Sequence, residues 1–269
     1  MLRLVYSSSL ICEPLFYNLR HQSNQSIISV EKLPEMECLN KLETNQADLA
    51  LLTPLAYGKS KGNIYVVKDY IIHSPNLGRN ILLFFKGSLR NFNTVYCEPF
   101  KKENSFEKFL ADWVLREYFE IDVDWQLLPT QIVDTHVLNQ LKVILLTGEK
   151  AFETFNQIDS YLDLSEEWCL RTELPLIHNL LCVHSAFAHA DQLPSLRQSL
   201  TEGLKNLPAI AEEYAQSHSQ NWTIYHDLLS KNYQYFPHPA GLESLEQIFQ
   251  HMFYSGIVDY LPELKIYNG

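Results

Sequence analysis

Along the first third of the chain, apolar positions fall into short runs separated by polar, helix-like stretches. The runs predict strands at Leu2–Tyr6, Ile27–Lys32, Ala47–Leu52, Ile64–Ile72 and Asn80–Phe85. Between the first two lies "PLFYNLRH", whose Pro14 suits a helix's first turn, where a missing N–H loses no intrahelical bond. Between the second and third lies "PEMECLNKLETN", opened by Pro34, with Met36, Leu39 and Leu42 on one face. This β-α-β-α-β rhythm predicts a parallel sheet covered on both sides by helices.

The rhythm repeats after "KGSLRNFN". Strand "TVYCEP" precedes helix "SFEKFLADWVLREYF", in which Phe106, Phe109, Leu110, Trp113 and Val114 share a face opposite Lys108 and Asp112. Strand "VDWQLLP", helix "DTHVLNQL", strand "KVILLTG" and helix "EKAFETFNQI" complete a second α/β lobe. The acidic stretch from Tyr161 to Leu176 reads as the surface edge of that lobe. It leads into "HNLLCVHSAF", apolar at both parities, which predicts a buried strand returning the chain to the first lobe. Thereafter "LPSLRQSLTEGLKNLPAIAEEYAQS" reads as helix interrupted near Pro208. It is followed by a short helix "IYHDLLSK", the aromatic stretch "NYQYFPHPAG" and the amphipathic helix "GLESLEQIFQHMFYSG".

The expected fold class is α/β, two-lobed, with a ligand cleft between the lobes. Residues 1–88 and 183–269 form the discontinuous lobe one with the C-terminal helices, and residues 89–182 form lobe two. The expected crossovers lie near Phe84–Ser88 and His178–His184. Ligands of open α/β sheets sit beyond the carboxyl ends of the strands, so those ends are where chemistry is sought.

Charge changes the choice of partners. Lys plus Arg number 21 against 32 Asp plus Glu, a formal net charge of −11 with no compensating basic stripe. A field of that sign repels nucleic acid and anionic membranes, so neither is an expected partner. "MLRLVYSSSL" lacks the basic start and the apolar run of about 7–15 residues of a secretory signal, which predicts a cytoplasmic protein. The cysteines Cys12, Cys38, Cys97, Cys169 and Cys182 contain no CxxC pair and are expected to be reduced.

The strand ends share a chemistry. The first strand ends in Tyr6-Ser7-Ser8-Ser9 and the third in Thr53-Pro54. Asn76, Gly78, Arg79 and Asn80 precede the fifth strand. In the second lobe, Asn104 and Ser105 stand before one helix, and Thr147-Gly148 opens another. Hydroxyls and amides at such positions can hold a carboxylate or phosphate without net positive charge. An N-cap role alone, which favours Ser and Thr for stability, accounts equally well for Ser105 and Thr147. Metal is not expected, because His178, Cys182, His184 and His189 match no closed ligand spacing. No Gly-x-Ser-x-Gly, GxGxxG or GxxxxGK[ST] occurs, which removes the usual hydrolase and nucleotide fingerprints.

Several stretches are together similar to one family. "LETNQADLALLTPLAYGKS", "SPNLGRNILLFFK", "VILLTGEKAF", "GIVDYLPELKIY" and, most specifically, "YLDLSEEWCLRTELPLIHNLLCV" resemble the menaquinone-biosynthetic proteins of the futalosine route, in particular the chorismate dehydratases. The resemblance implies the two-lobed type II periplasmic-binding-protein fold used by a cytoplasmic enzyme. It implies a carbon–oxygen lyase that takes water from chorismate to give 3-enolpyruvylbenzoate, with no cofactor. On this basis Ser7, Ser8, Ser9 and Thr53 are expected to hold one carboxylate, with Ser9 close to the chemistry. Asn80 orients the ring, Arg79 contributes to binding, and Ser105, Thr147 and Gly148 clamp from lobe two. The base is the substrate's own side-chain carboxylate, or Glu13 or Glu149. The sequence also departs from the family. Ile11 stands where the family's active-site Asn falls, Asn80 replaces a Ser, and a Ser-Arg-Thr-Ser helix start is reduced to Glu103-Asn104-Ser105. Either chorismate is held by other residues or the ligand differs. Two alternatives therefore stay open: a non-catalytic binding protein for a small carboxylate or phosphonate, and another enzyme of the same route.

Overall fold

The computed structural model of the chain describes residues 2–7, 9–21, 28–99, 105–129, 133–155, 157–158, 160–218 and 221–267. Ile27, Ser8, Glu103 and Asn104, all named above, lie outside these residues. In chain order the first elements are β1 (Leu2–Tyr6), α1 (Glu13–His21), β2 (Ile28–Lys32), α2 (Glu35–Glu43), β3 (Leu49–Leu52), α3 (Pro54–Gly58) and β4 (Ile64–Ser74). Then come β5 (Ile81–Phe85), β6 (Thr94–Cys97), α4 (Phe106–Phe119), β7 (Asp124–Leu127), α5 (Thr135–Leu141), β8 (Val143–Thr147), α6 (Gly148–Thr154), β9 (Tyr161–Asp163) and α7 (Leu164–Thr172). The last are β10 (Leu176–His184), α8 (Leu193–Lys205), α9 (Leu207–Ala215), α10 (Trp222–Asp227), α11 (Gly241–Tyr254) and β11 (Ile266–Tyr267).

The chain divides into two compact units, residues 1–74 with 177–269 and residues 75–176. The first contains a sheet of order β11-β4-β10-β3-β1-β2, the second a sheet of order β7-β6-β8-β5-β9. Each repeats one plan. The leading strand, β1 or β6, is flanked by two parallel partners: β2 and β3 in one unit, β7 and β8 in the other. A single antiparallel strand then follows, β10 beside β3 and β5 beside β8. In both sheets that strand is the first after the chain has passed from one unit to the other.

This explains where the division departs from the sequence reading, which placed β5 in lobe one and most of β10 in lobe two. The short polar segment between β4 and β5 has the look of a hairpin turn, which joins neighbouring strands. Instead β5 pairs with β8 and β9, so the chain crosses at Ser74–Pro75 and returns at Leu176–Ile177. The continuous apolar run of β10 has the cause expected of it. The strand lies inside the sheet, and Leu180 to Val183 are fully buried.

The acidic segment after Tyr161 holds the edge expected of it, since β9 is the last strand in the order of its sheet, but it is not all surface. It supplies β9 and the helix α7, whose Trp168 is 0% exposed and lies 4.8 Å from Trp113 of α4. Its glutamates, Glu166 and Glu167, form the polar side of a half-buried helix. The α4 face behaves as its periodicity requires: Phe106, Phe109, Leu110, Trp113 and Val114 are buried, while Lys108 and Asp112 pair at 2.7 Å.

In the first unit α8 crosses α1 with almost no space between backbones. A Cβ on Gly203 would stand 1.8 Å from the Pro14 carbonyl oxygen. Gly203→Ala is expected to push the helices apart and lower stability by about 2 kcal/mol, the ordinary cost of overpacking, measured by urea denaturation.

A second expectation concerns pH. His73 is fully buried, its Nε2 bonded to the Phe236 carbonyl at 3.1 Å and its ring edge-on to His238 at 5.4 Å. Burial, with His238 beside it, pushes its imidazole down to about 4. A depressed histidine favours the fold above its unfolded value of about 6.5, and that contribution fades as pH falls toward 4. At pH 5 the loss is expected to reach about 2 kcal/mol relative to pH 7.5, and His73→Gln should flatten that part of the stability–pH curve.

Candidate functional site

In the second unit the sequence-predicted residues converge on one end of the sheet. The parallel strands β6 and β8 both point their carboxyl ends there, while the antiparallel β5 begins there. Ile81 pairs with Thr147, and the Gly148 N–H donates to the Asn80 carbonyl at 2.7 Å. The Gly148 amide, expected to clamp a ligand, is thus already engaged by the backbone. The Thr147 hydroxyl caps nothing, although Thr147 is the N-cap of α6. Ser105 caps α4, accepting from the Lys108 N–H at 3.1 Å.

Asn80 is 8% exposed, and its Oδ1 is buried with no hydrogen-bond partner among the described residues. Close by stands Ser165, whose Oγ is likewise buried without a partner. A Cβ built on Gly78 would collide with the Ser165 side chain and stand 3.3 Å from Asn80 Oδ1, so both groups lie against Gly78 with no room there for a methyl group. Leaving such groups unsatisfied costs about 1–3 kcal/mol each.

The turn carrying Asn80 is fastened by a residue that the sequence reading gave no role. Asp163, 2% exposed, N-caps α7 by accepting from the amides of Ser165 at 3.0 Å and Glu166 at 3.4 Å. Its other oxygen accepts from the amides of Gly78 at 3.1 Å and Arg79 at 2.7 Å. Burial pushes the Asp163 carboxyl up to about 6, against the pull of these amides in the other direction. With both oxygens filled by donors, Asp163 is a positioning residue and not a base. The "Asp before a helix" spacing in "YLDLSEEW" was its available signal. Arg79 takes a left-handed backbone, φ 56°, and its guanidinium lies over the Phe155 ring at 4.8 Å.

In the first unit, Ser7 and Ser9 follow β1, and Ser9 N-caps a short 3-10 turn, Leu10–Cys12, without a side-chain bond. The Thr53 hydroxyl accepts from the Ala56 N–H at 3.3 Å, and its own N–H donates to Glu35 Oε1 at 3.0 Å. A carboxylate therefore already occupies the amide expected to hold the substrate's. Ile11 is buried in the 3-10 turn. Glu13 is also buried, paired with Arg20 and with Lys32 at 3.4 Å, which gives it a structural partner set. Glu149 lies in the first turn of α6. Cys12, Cys38, Cys97 and Cys182 are buried, and no cysteine is bridged. Among the described residues no cluster of three His, Cys, Asp or Glu could hold a metal, and no helix is long and apolar enough to cross a membrane.

Two α/β units of one strand plan, each with an antiparallel strand received from the other, define the fold of periplasmic ligand-binding proteins. The similar solved structures include AF1704 from Archaeoglobus fulgidus, with a TM-score of 0.75 and 13% identity over 95% of this chain and 98% of that one. They also include the periplasmic aliphatic sulphonate binding protein SsuA from Escherichia coli, with a TM-score of 0.69 and 12% identity over 100% and 94%. A third is CA3427 from Candida albicans, described as having the generic periplasmic binding protein fold, with a TM-score of 0.64 and 12% identity over 97% and 91%. No curated protein matches the sequence. The sequence model of the menaquinone biosynthesis family matches residues 2–254, and the chain belongs to that family.

Proposed function

We propose that this protein is a lyase of the futalosine route that removes water from chorismate to give 3-enolpyruvylbenzoate. Membership of the menaquinone biosynthesis family and the ligand-binding fold support the reading. The observation that carries it is the unpartnered Asn80 oxygen beside the unpartnered Ser165 hydroxyl, an acceptor and a donor suited to a substrate hydroxyl.

The reaction breaks one C–H bond and the neighbouring C–OH bond of the ring. The electron pair of the C–H bond becomes ring π density, the hydroxyl leaves as water after taking a proton, and the ring becomes aromatic. Aromatisation drives the step, so the protein has to orient and solvate charge, a task of positioning and electrostatics. Asn80 and Ser165 hold the leaving hydroxyl, and Thr147 and Ser105 offer further hydroxyls at the same sheet end. With Glu13 paired and Asp163 filled, the base is the substrate's side-chain carboxylate or Glu149. The reaction belongs in the cytoplasm, where chorismate is made available.

Chorismate added to the purified protein should lose its diene absorbance and gain that of a substituted benzoate. The second reading, a binding protein without chemistry, is favoured by Ile11 and by the engagement of Thr53, and predicts a raised melting temperature with an unchanged spectrum. Neither a spectral change nor stabilisation would remove chorismate as the ligand.

A further inference from the structure

The second unit carries a hollow that the account above does not use. It has a volume of about 300 Å³, and Phe85, Ser88, Leu89, Arg90 and Leu162 are among the residues lining it. Helix α4 contributes Tyr118 and Phe119 from its last turn. The hollow lies at the end of the sheet away from Asn80, because β5 starts with Ile81 opposite Thr147 and ends with Phe85 opposite Val143. Four residue steps of about 3.4 Å put about 13 Å of strand between those two ends. The Tyr118 ring is held from two directions. The Arg171 guanidinium lies over it at 4.4 Å, and Trp113 meets it edge-on at 5.1 Å and 82°. A wall fixed in this way loses little freedom when a guest arrives.

Charge decides the guest. Arg90 is the one charged residue among those lining the hollow, and among the described residues its guanidinium has no ion-pair or hydrogen-bond partner. Ser88 precedes the 3-10 turn Leu89–Asn91, and its hydroxyl does not cap that turn. Lys86 and Lys142 meet at the same end of the sheet, where the Lys86 N–H donates to the Lys142 carbonyl at 2.8 Å, and neither ammonium is paired among the described residues. Three cations without carboxylate partners thus stand at one sheet end, in a chain whose net charge is −11. Aromatic side chains favour a flat ring in offset or edge-on contact, and a guanidinium favours a carboxylate that it can grip with two N–H groups. A volume at the lower limit of the range of about 300–1,000 Å³ for ligand pockets suits a single ring. We propose that this hollow is a second binding site, for a single-ring aromatic carboxylate with its ring against Phe85, Tyr118 and Phe119 and its carboxylate on Arg90 and Ser88. The site shares no residue with the place around Asn80 and stands whether or not the reaction proposed above is correct.

Calorimetry on the full chain tests this with three probes: benzoate, benzamide as the same ring without the charge, and inorganic phosphate as a charge without a ring. Benzoate should bind, benzamide about tenfold more weakly or worse, as loss of a hydrogen bond between charged groups requires, and phosphate not measurably. Arg90→Gln, at an exposed position, should melt as the native protein does and lose the preference for benzoate over benzamide. Leu162→Trp, which fills the hollow, should lose both; if that variant does not fold, Arg90→Gln decides alone. Asn80→Ala should bind benzoate with native affinity, which separates this site from the other end of the sheet. Benzoate bound equally well by Arg90→Gln, or lost in Asn80→Ala, overturns the proposal. So does benzoate that fails to bind the native protein, or phosphate that binds as tightly.

Discussion

Asp163→Ala is expected to lower the unfolding free energy by about 4 kcal/mol, because four amide donors lose their acceptor at about 1 kcal/mol each. Two of those amides, from Ser165 and Glu166, begin α7; the other two, from Gly78 and Arg79, fix the turn ahead of β5. The substitution therefore loosens a helix start and the loop that carries Asn80 together. Asp163→Asn keeps a capping oxygen for one pair of donors and should recover about half of the loss, since asparagine caps a helix nearly as well as aspartate. Chemical denaturation measures both. An Ala variant within about 1 kcal/mol of the native protein would mean that water replaces the carboxylate without penalty.

The second large effect falls on turnover. Asn80→Ala removes the buried acceptor but leaves the backbone carbonyl that takes the Gly148 N–H, so the sheet edge stays closed. Loss of one well-placed polar group commonly lowers kcat about 100-fold or more. Stability should hold or rise slightly, because an unsatisfied amide oxygen is removed with it. Asn80→Ser retains a hydroxyl and should recover part of the rate. A variant that turns over at the native rate would take Asn80 out of the site. Ser165→Ala offers a companion measurement on the neighbouring hydroxyl.

The fold was legible wherever local periodicity and burial agree. The β1–β3 rhythm, the α4 stripe and the buried run of β10 each follow from side chains that must leave water on one face or on both. The exchange of β5 and β10 between units was half legible. β10 announces itself by its apolar continuity, whereas β5 follows a turn-like segment that gives no sign of leaving its sheet. In α7 the acidic face was legible, and the burial of Leu164 and Trp168 behind it was not. The places of Asn80 and Thr147 at strand ends could be read from the sequence. The part of Asp163 could not, because its meaning lies in partners 84 residues away, as with the Arg79 amide. A sequence shows which polar groups exist. It does not show which of them remain unbonded after folding.

The most direct measurement is identification of the product by proton magnetic resonance after the purified protein and chorismate have been mixed with nothing else added. The account predicts aromatic ring signals with both vinyl protons of the enol ether retained, formed at a rate that falls in Asn80→Ala. Chorismate recovered unchanged from the folded protein, or a product that has lost its enolpyruvyl group, would contradict it.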